Sequence, residues 1–223
     1  MIKIHQFSGS GFAWRVLLAA ALKGVDYEII SIQPGPDLKA PEFLKLNPRG
    51  KVPVMQDGPV VLRESMAIIA YLDWKYPEPP LLGVTAEETG LVWQMVCDFD
   101  NYVANDWVYK IIVPVLLGQI EEGPLQDAAR TAHAEVQKLE TELGGKKWFV
   151  GANLTAVDIA IYPMLEALLR FANKESVAHL DLGFDTFPDR YPQLERWRRA
   201  IQALPWYEQT YPAYWRQVDG KAA

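Results

Sequence analysis

The residues best suited to chemistry begin in one stretch, "GKVPVMQDGPVVLRES", Gly50 to Ser65. Val52, Val54 and Met55 form one apolar run, Val60, Val61 and Leu62 form another, and Asp57-Gly58 between them signals a hairpin turn. Pro53 interrupts the first run, where it cannot donate a ladder hydrogen bond and belongs at an edge or a bulge. Glu64-Ser65 follows at once and opens a helix, so a carboxylate and a hydroxyl sit where first-turn N–H groups attract anions. A second stretch, "FSGSGFAWRV", places Ser8 and Ser10 just ahead of a helix, where serine ordinarily acts as a cap. A third, "DFDNYVANDWVYK", carries Tyr102, Asp106, Trp107 and Tyr109, although aromatic residues at helical spacing are ordinarily core.

Other chemistries are disfavoured. The single cysteine, Cys97, rules out an intramolecular disulfide and offers no CxxC or zinc spacing. It reads as a small buried hydrophobe, and no metal is expected. The 22 Lys and Arg residues against 28 Asp and Glu give a net charge of −6 without a basic run, so nucleic acid is not an expected partner. Charges interrupt every apolar stretch, so no membrane span is expected. The opening "MIKIHQF" lacks a secretory apolar region, which points to the cytoplasm.

The elements that must position these residues fall into two halves. The first reads as alternating strands and helices. Strands are expected at Ile2–Phe7 and Tyr27–Ile32, helices at Trp14–Gly24 and around Pro41–Leu46, then the hairpin, then a helix from Ser65 to about Tyr76. The order βαβαββα calls for a parallel first pair and an antiparallel addition. After the proline-rich 77–84 the strand signals fade, and helices are expected at about 86–119, 124–143, 155–172 and 191–204. In "LTAVDI" Thr155 and Asp158 form an Asp variant of the capping box, with Leu154 and Ile159 at the staple positions. The division drawn is a domain over 1–78 and an all-helical domain over 86–223.

"NPRGKVPVM", "RESMAIIAYL" and "LTAVDIAIYP", at these separations and across nearly the whole chain, resemble the cytosolic glutathione transferases. "ALKGVDYE" is similar to the serine-type, zeta-like branch. The resemblance implies a thioredoxin-like α/β domain followed by an all-α domain, glutathione as co-substrate, and a homodimer in which the first domain of one subunit packs on the helical domain of the other. It implies a cis bond before Pro53, with the backbone of Val52 pairing with glutathione as an added strand. It also implies a hydroxyl donor to the glutathione thiolate. Counting back from Arg15 selects Ser10, with Ser8 as the alternative; Phe7 and the distant Cys97 leave no tyrosine-type or cysteine-type donor.

By the same resemblance Glu64 and Ser65 bind the γ-glutamyl end, and Lys51, with Lys39 behind it, reaches the glycine carboxylate. Arg15 reads as support for the fold. Phe12, Tyr102, Asp106, Trp107 and Tyr109 would surround a small apolar electrophile lying between the halves. The implied activity is detoxification-type conjugation. A specialised glutathione-dependent isomerase, dehalogenase or ether-cleaving enzyme competes with it, as does a non-catalytic binding protein. Ser10 is followed by Gly11 and Phe12, where the zeta-type isomerases carry Ser-Cys, and this counts against isomerisation.

Overall fold

In the computed structural model, which describes residues 1–218, the chain divides into two compact units. The first comprises Met1–Leu82 together with the segment from Pro205 onward, and the second is Gly83–Leu204.

In the first unit β1 (Ile2–Gln6) is buried at all positions but Lys3. α1 (Gly11–Leu22) is apolar around its circumference, and Ala13 through Ala21 are all buried. It begins three residues earlier than its apolar pattern predicts, because Ser10 caps it. β2 (Tyr27–Ser31) pairs parallel with β1. A 3-10 turn at Asp37–Lys39 and α2 (Pro41–Leu46) lead to the hairpin of β3 (Val54–Asp57) and β4 (Val60–Arg63). α3 (Ser65–Lys75) closes the motif. The sheet order β2-β1-β3-β4 gives the expected βαβαββα, with β3 antiparallel to both neighbours.

Two details differ from expectation. The hairpin loop is Gly58-Pro59, one residue later than the Asp57-Gly58 signal, because Asp57 still pairs with Val60 and Gly58 takes φ 58°. β3 is an inner strand, but Pro53 stands just ahead of its first ladder residue and so removes no ladder hydrogen bond. The Val52-Pro53 bond is cis, as is Glu78-Pro79.

The proline-rich stretch is fastened to the first unit. The buried Lys23 ammonium donates to the carbonyls of Tyr76 at 2.6 Å and Pro79 at 2.8 Å, and it pairs with Asp73 at 2.8 Å. Asp73 in turn accepts from the amides of Leu81 and Leu82.

In the second unit α4 (Ala86–Phe99) continues through wider π turns at Asp100–Ala104 and Val108–Ile112. α5 (Asn105–Trp107) lies between them and α6 (Val113–Leu117) beyond them. Pro114 supplies no N–H to the preceding turn, and the helix widens immediately before it. The buried stripe runs Val92, Val96, Phe99, Val103, Trp107. Cys97 falls off that stripe and is exposed, which corrects its reading as a buried hydrophobe.

α7 (Glu122–Leu143) and α8 (Ala156–Ala172) follow. Thr155 and Asp158 form the expected capping box, and Leu154 and Ile159 are buried. The Asp158 carboxylate also accepts from Phe149 N at 3.2 Å and Trp197 Nε1 at 2.8 Å. A 3-10 turn at Glu175–Leu180 and α9 (Phe187–Arg190) precede α10 (Pro192–Gln202). The carboxylate of Glu140 on α7 caps α10, accepting from Gln193 N and Leu194 N at 2.8 Å each.

The chain then rejoins the first unit through α11 (Tyr207–Thr210) and α12 (Ala213–Val218). The sequence reading gave this segment to the helical half. Trp14 explains its attachment: its indole N–H donates to Thr210 Oγ1 at 3.1 Å, and its ring meets Tyr207, Tyr211 and Trp215.

Candidate active site

Sheet register brings the predicted segments to one place. His5 on β1 lies opposite Val54 on β3, and Val54 lies opposite Arg63 on β4. Antiparallel pairing therefore sets the end of β1, the start of β3 and the end of β4 along one sheet edge. The chain on that edge is the Ser8–Ser10 loop, Lys51-Val52-Pro53, and Glu64-Ser65. β2 runs parallel to β1 and ends at Ser31 on the same edge, so the segment leading to Lys39 departs from there.

Each segment is held by identifiable contacts. Ser10 takes an extended conformation, and its Oγ accepts from Ala13 N at 3.3 Å. Its side chain is thus an acceptor in the fold, and its O–H hydrogen is not spent on that bond. Ser8 Oγ accepts from Tyr214 N at 2.9 Å, which ties it to the returning segment. Between them Gly9 has φ 93°, and a Cβ there would stand 2.9 Å from Trp215 Nε1, so only glycine fits the closure.

The Lys51-Val52-Pro53 strand entry is shaped by Asn47. Its Nδ2 donates to Lys51 O at 2.6 Å and its Oδ1 accepts from Arg49 N at 3.1 Å. Gly50 has φ 60°, and a Cβ would meet Leu38 O at 2.8 Å. The side chains of Lys51 and Lys39 are exposed. Val52 lies outside the β3 ladder, which begins at Val54.

Glu64 is a non-glycine residue at φ 66°, a backbone conformation that costs energy and gathers at ligand sites. Its side chain does not cap α3. The first-turn amides of α3 receive no bond from the Glu64 side chain, and Ser65 is buried at their base. Arg15, 0% exposed, points its Nη1 at Ser65 Oγ across 3.4 Å, with its guanidinium carbon 4.8 Å from the Phe12 ring centroid. The link from Arg15 to Ser65 and the clasp made by Asn47 escaped the sequence reading. A charged residue inside the apolar run "WRVLLAAAL" was the available signal for the first, since buried charge demands partners. The Asn-Pro of "LNPRG" was the signal for the second.

The remaining predicted residues belong to the second unit. Tyr102 and Tyr109 are exposed at 73% and 55%, and Asp106 pairs with Lys110 at 2.7 Å. Trp107 is core, edge-on to Phe99, and its buried indole N–H has no hydrogen-bond partner among the described residues. Tyr102, Asp106 and Trp107 line a cavity of about 10 Å³ against α7. Tyr109 lines the adjoining groove of about 380 Å³, with Pro114, Gln119 and Leu125.

Comparison with known proteins gives this geometry a family. Residues 4–80 match the glutathione S-transferase N-terminal domain, and residues 122–200 match the C-terminal domain. The chain is 49% identical over 222 residues to glutathione S-transferase Z1 of Arabidopsis thaliana, covering 95% of this chain and 91% of that protein. The chain belongs to the glutathione S-transferase family, on its zeta-like branch. Glutathione S-transferase 1 of Dianthus caryophyllus is 45% identical, with 91% and 92% covered. A maleylacetoacetate isomerase of Pseudomonas aeruginosa is 30% identical over the full length of both chains. The fold matches that of the transferase URE2P8 from Phanerochaete chrysosporium, solved with oxidised glutathione, at TM-score 0.82 and 20% identity, covering 99% of this chain and 97% of that one. The protein is an enzyme of the glutathione transferase type, and glutathione is its co-substrate. Among the described residues no group of three His, Cys, Asp or Glu could hold a metal ion.

Proposed function

We propose that the enzyme joins the glutathione sulfur to a small apolar electrophile. Glutathione lies along the sheet edge, its cysteinyl backbone pairing with Val52 beside Pro53 as an added antiparallel strand. The γ-glutamyl carboxylate takes the Ser65 hydroxyl and the first-turn amides of α3, with Glu64 facing the ammonium. Lys51, with Lys39 further out, neutralises the glycine carboxylate.

The thiol proton passes to solvent, and the thiolate accepts the O–H of Ser10 beside the N-terminus of α1. A donated hydrogen bond and the helix dipole both favour the anion. The sulfur then forms a bond to the electrophilic carbon, and a leaving group such as halide departs with its electron pair. Phe12 at the start of α1 is the side chain assigned to the electrophile, an aromatic residue suiting a planar apolar partner. A reducing cytoplasm, which keeps glutathione as the thiol, is the compartment that suits this chemistry.

The observation that carries the reading is the acceptor role of Ser10. Its oxygen is committed to Ala13 N, which leaves its hydrogen to give. The test is conjugation of 1-chloro-2,4-dinitrobenzene followed across pH. Wild type should show kcat/KM rising through an inflection below the roughly 8.5 of a free thiol. Ser10→Ala should lose about 100-fold and move the inflection up toward that value. An unchanged profile in Ser10→Ala would remove Ser10, and a shift in Ser8→Ala would install Ser8 in its place.

A second reading is favoured by the isomerase from Pseudomonas aeruginosa, similar over the full length of the chain. Gly11 and Phe12 weigh against it, and turnover of a cis-enoyl acid without glutathione consumption would establish it. We also infer a homodimer, supported by Trp74, 90% exposed on α3, and the exposed Val61 on β4.

A further inference from the structure

One buried donor in the second unit has no account in the fold. Trp107 is 2% exposed, and its indole N–H meets no acceptor among the described residues. A buried indole N–H ordinarily finds one, and leaving it without one is costly. Trp107 borders the recess of about 10 Å³ against α7, room for a single acceptor oxygen and little more. Lys110, Ala128 and Thr131 line both this recess and the groove of about 380 Å³, so the two spaces adjoin. The groove falls within the size range of small-molecule sites. Both π turns contribute to it or to the recess, the first through Tyr102 and the second through Tyr109 and Lys110. Turns of this kind recur at functional positions in helices.

The charge around these spaces leans to one sign. Asp106, Glu121, Asp127 and Glu135 are in the lining, against Lys110 alone. Lys110 is engaged by Asp106, while Arg130 and Lys138 pair with Asp127 and Glu135 from outside the lining. Acids outnumber bases even when those two are included, and exposed pairs hold each other weakly. Tyr102 and Tyr109 are both exposed, and aromatic faces attract organic cations.

We propose that the groove is a second ligand site, taking a small aromatic cation that carries an oxygen acceptor. The oxygen accepts the Trp107 N–H in the recess, and the apolar body lies along Pro114, Leu125 and Ala128. The positive charge rests among the carboxylates and tyrosine rings, which turn away an anion of the same size. Every residue named belongs to the second unit, so the inference does not rest on the glutathione reading.

The probe is berberine, a planar quaternary cation with ether oxygens, titrated into the full chain at low salt and followed by its fluorescence. Wild type should take up one probe per chain. Anilinonaphthalene sulfonate, aromatic but anionic, should bind at least about tenfold more weakly. Trp107→Phe keeps a ring and removes the N–H, and it should weaken berberine about tenfold. Thr131→Leu fills the junction of recess and groove and should weaken it at least as much. Glu121→Gln combined with Asp127→Asn should weaken it about threefold, an effect that added salt reduces.

Urea midpoints identify the variants that are folded. If Trp107→Phe is not recovered folded, the exposed Thr131→Leu decides. Wild-type affinity in either folded variant would overturn the proposal. So would an absence of saturable uptake by wild type, or equal affinity for the anionic dye. Saturating glutathione should leave berberine bound; its displacement would put the probe at the sheet edge and overturn the proposal alone. A chain that binds berberine in this way but takes up no glutathione would keep the groove and lose the glutathione reading.

Discussion

Asp158 shows how a single buried carboxylate holds the helical unit. Four donors converge on it, from Phe149 N, Thr155 N, Thr155 Oγ1 and Trp197 Nε1. Asp158→Ala orphans them together and should cost about 3–5 kcal/mol in urea unfolding. Burial outweighs these hydrogen bonds and raises its pKa from 3.8 to about 6. Because the folded value lies above the unfolded one, the fold binds the proton more tightly. The stability this group adds is full below about pH 4 and is lost as pH rises through about 6. Urea titrations between pH 4 and 7.5 should show that decline in wild type and not in Asp158→Ala. The capping box around Asp158 was legible because "LTAVDI" carries its own spacing rule. The tryptophan 39 residues on that completes the network was not, since no local pattern links Trp197 to Asp158. The same limit hid the approach of Arg15 to Ser65.

At the scale of elements, the strands and helices of the first unit follow their apolar periodicity to within a few residues. Misplacements occurred where a cap or a turn decides the boundary. Ser10 starts α1 early, and the hairpin turns at Gly58-Pro59. The proline-rich stretch 77–84 reads as a linker, yet the Lys23 ammonium and the Asp73 carboxylate hold the backbone at Tyr76, Pro79, Leu81 and Leu82. Lys23→Met would leave two carbonyls and Asp73 without their cation. It should lower stability by about 3 kcal/mol and open 76–82 to limited proteolysis. Cys97 is instructive in the opposite sense. Its type suggests burial, but its position between Val96 and Phe99 turns it off the core stripe. Helical phase outranks residue preference.

The division into two units was visible as a change in periodicity near residue 80, and the common edge of the candidate site follows from strand order alone. What periodicity could not convey is that α11 and α12 belong with the first unit, because that attachment is made by aromatic packing on Trp14 at long range. Trp215→Ala should cost about 3–5 kcal/mol and alter the near-ultraviolet circular dichroism of the Trp14 cluster. A homodimer of the 25.2 kDa chain should sediment at about twice that mass, and Trp74→Glu should shift the population toward monomer. A monomer in wild type at micromolar concentration would dismiss the dimer.

The grip of Tyr214 and Trp215 on Ser8 and Gly9 has a consequence for biosynthesis. The loop carrying Ser10 is translated within the first dozen residues, but the contacts that fix its shape are made by residues about 200 positions later. Domains ordinarily fold in the order they emerge from the ribosome. Here the sheet and α1 can assemble early while the loop carrying Ser10 waits for α12 to be made. A nascent chain is therefore kept from closing the Ser8–Ser10 loop until the segment around Tyr214 and Trp215 has emerged.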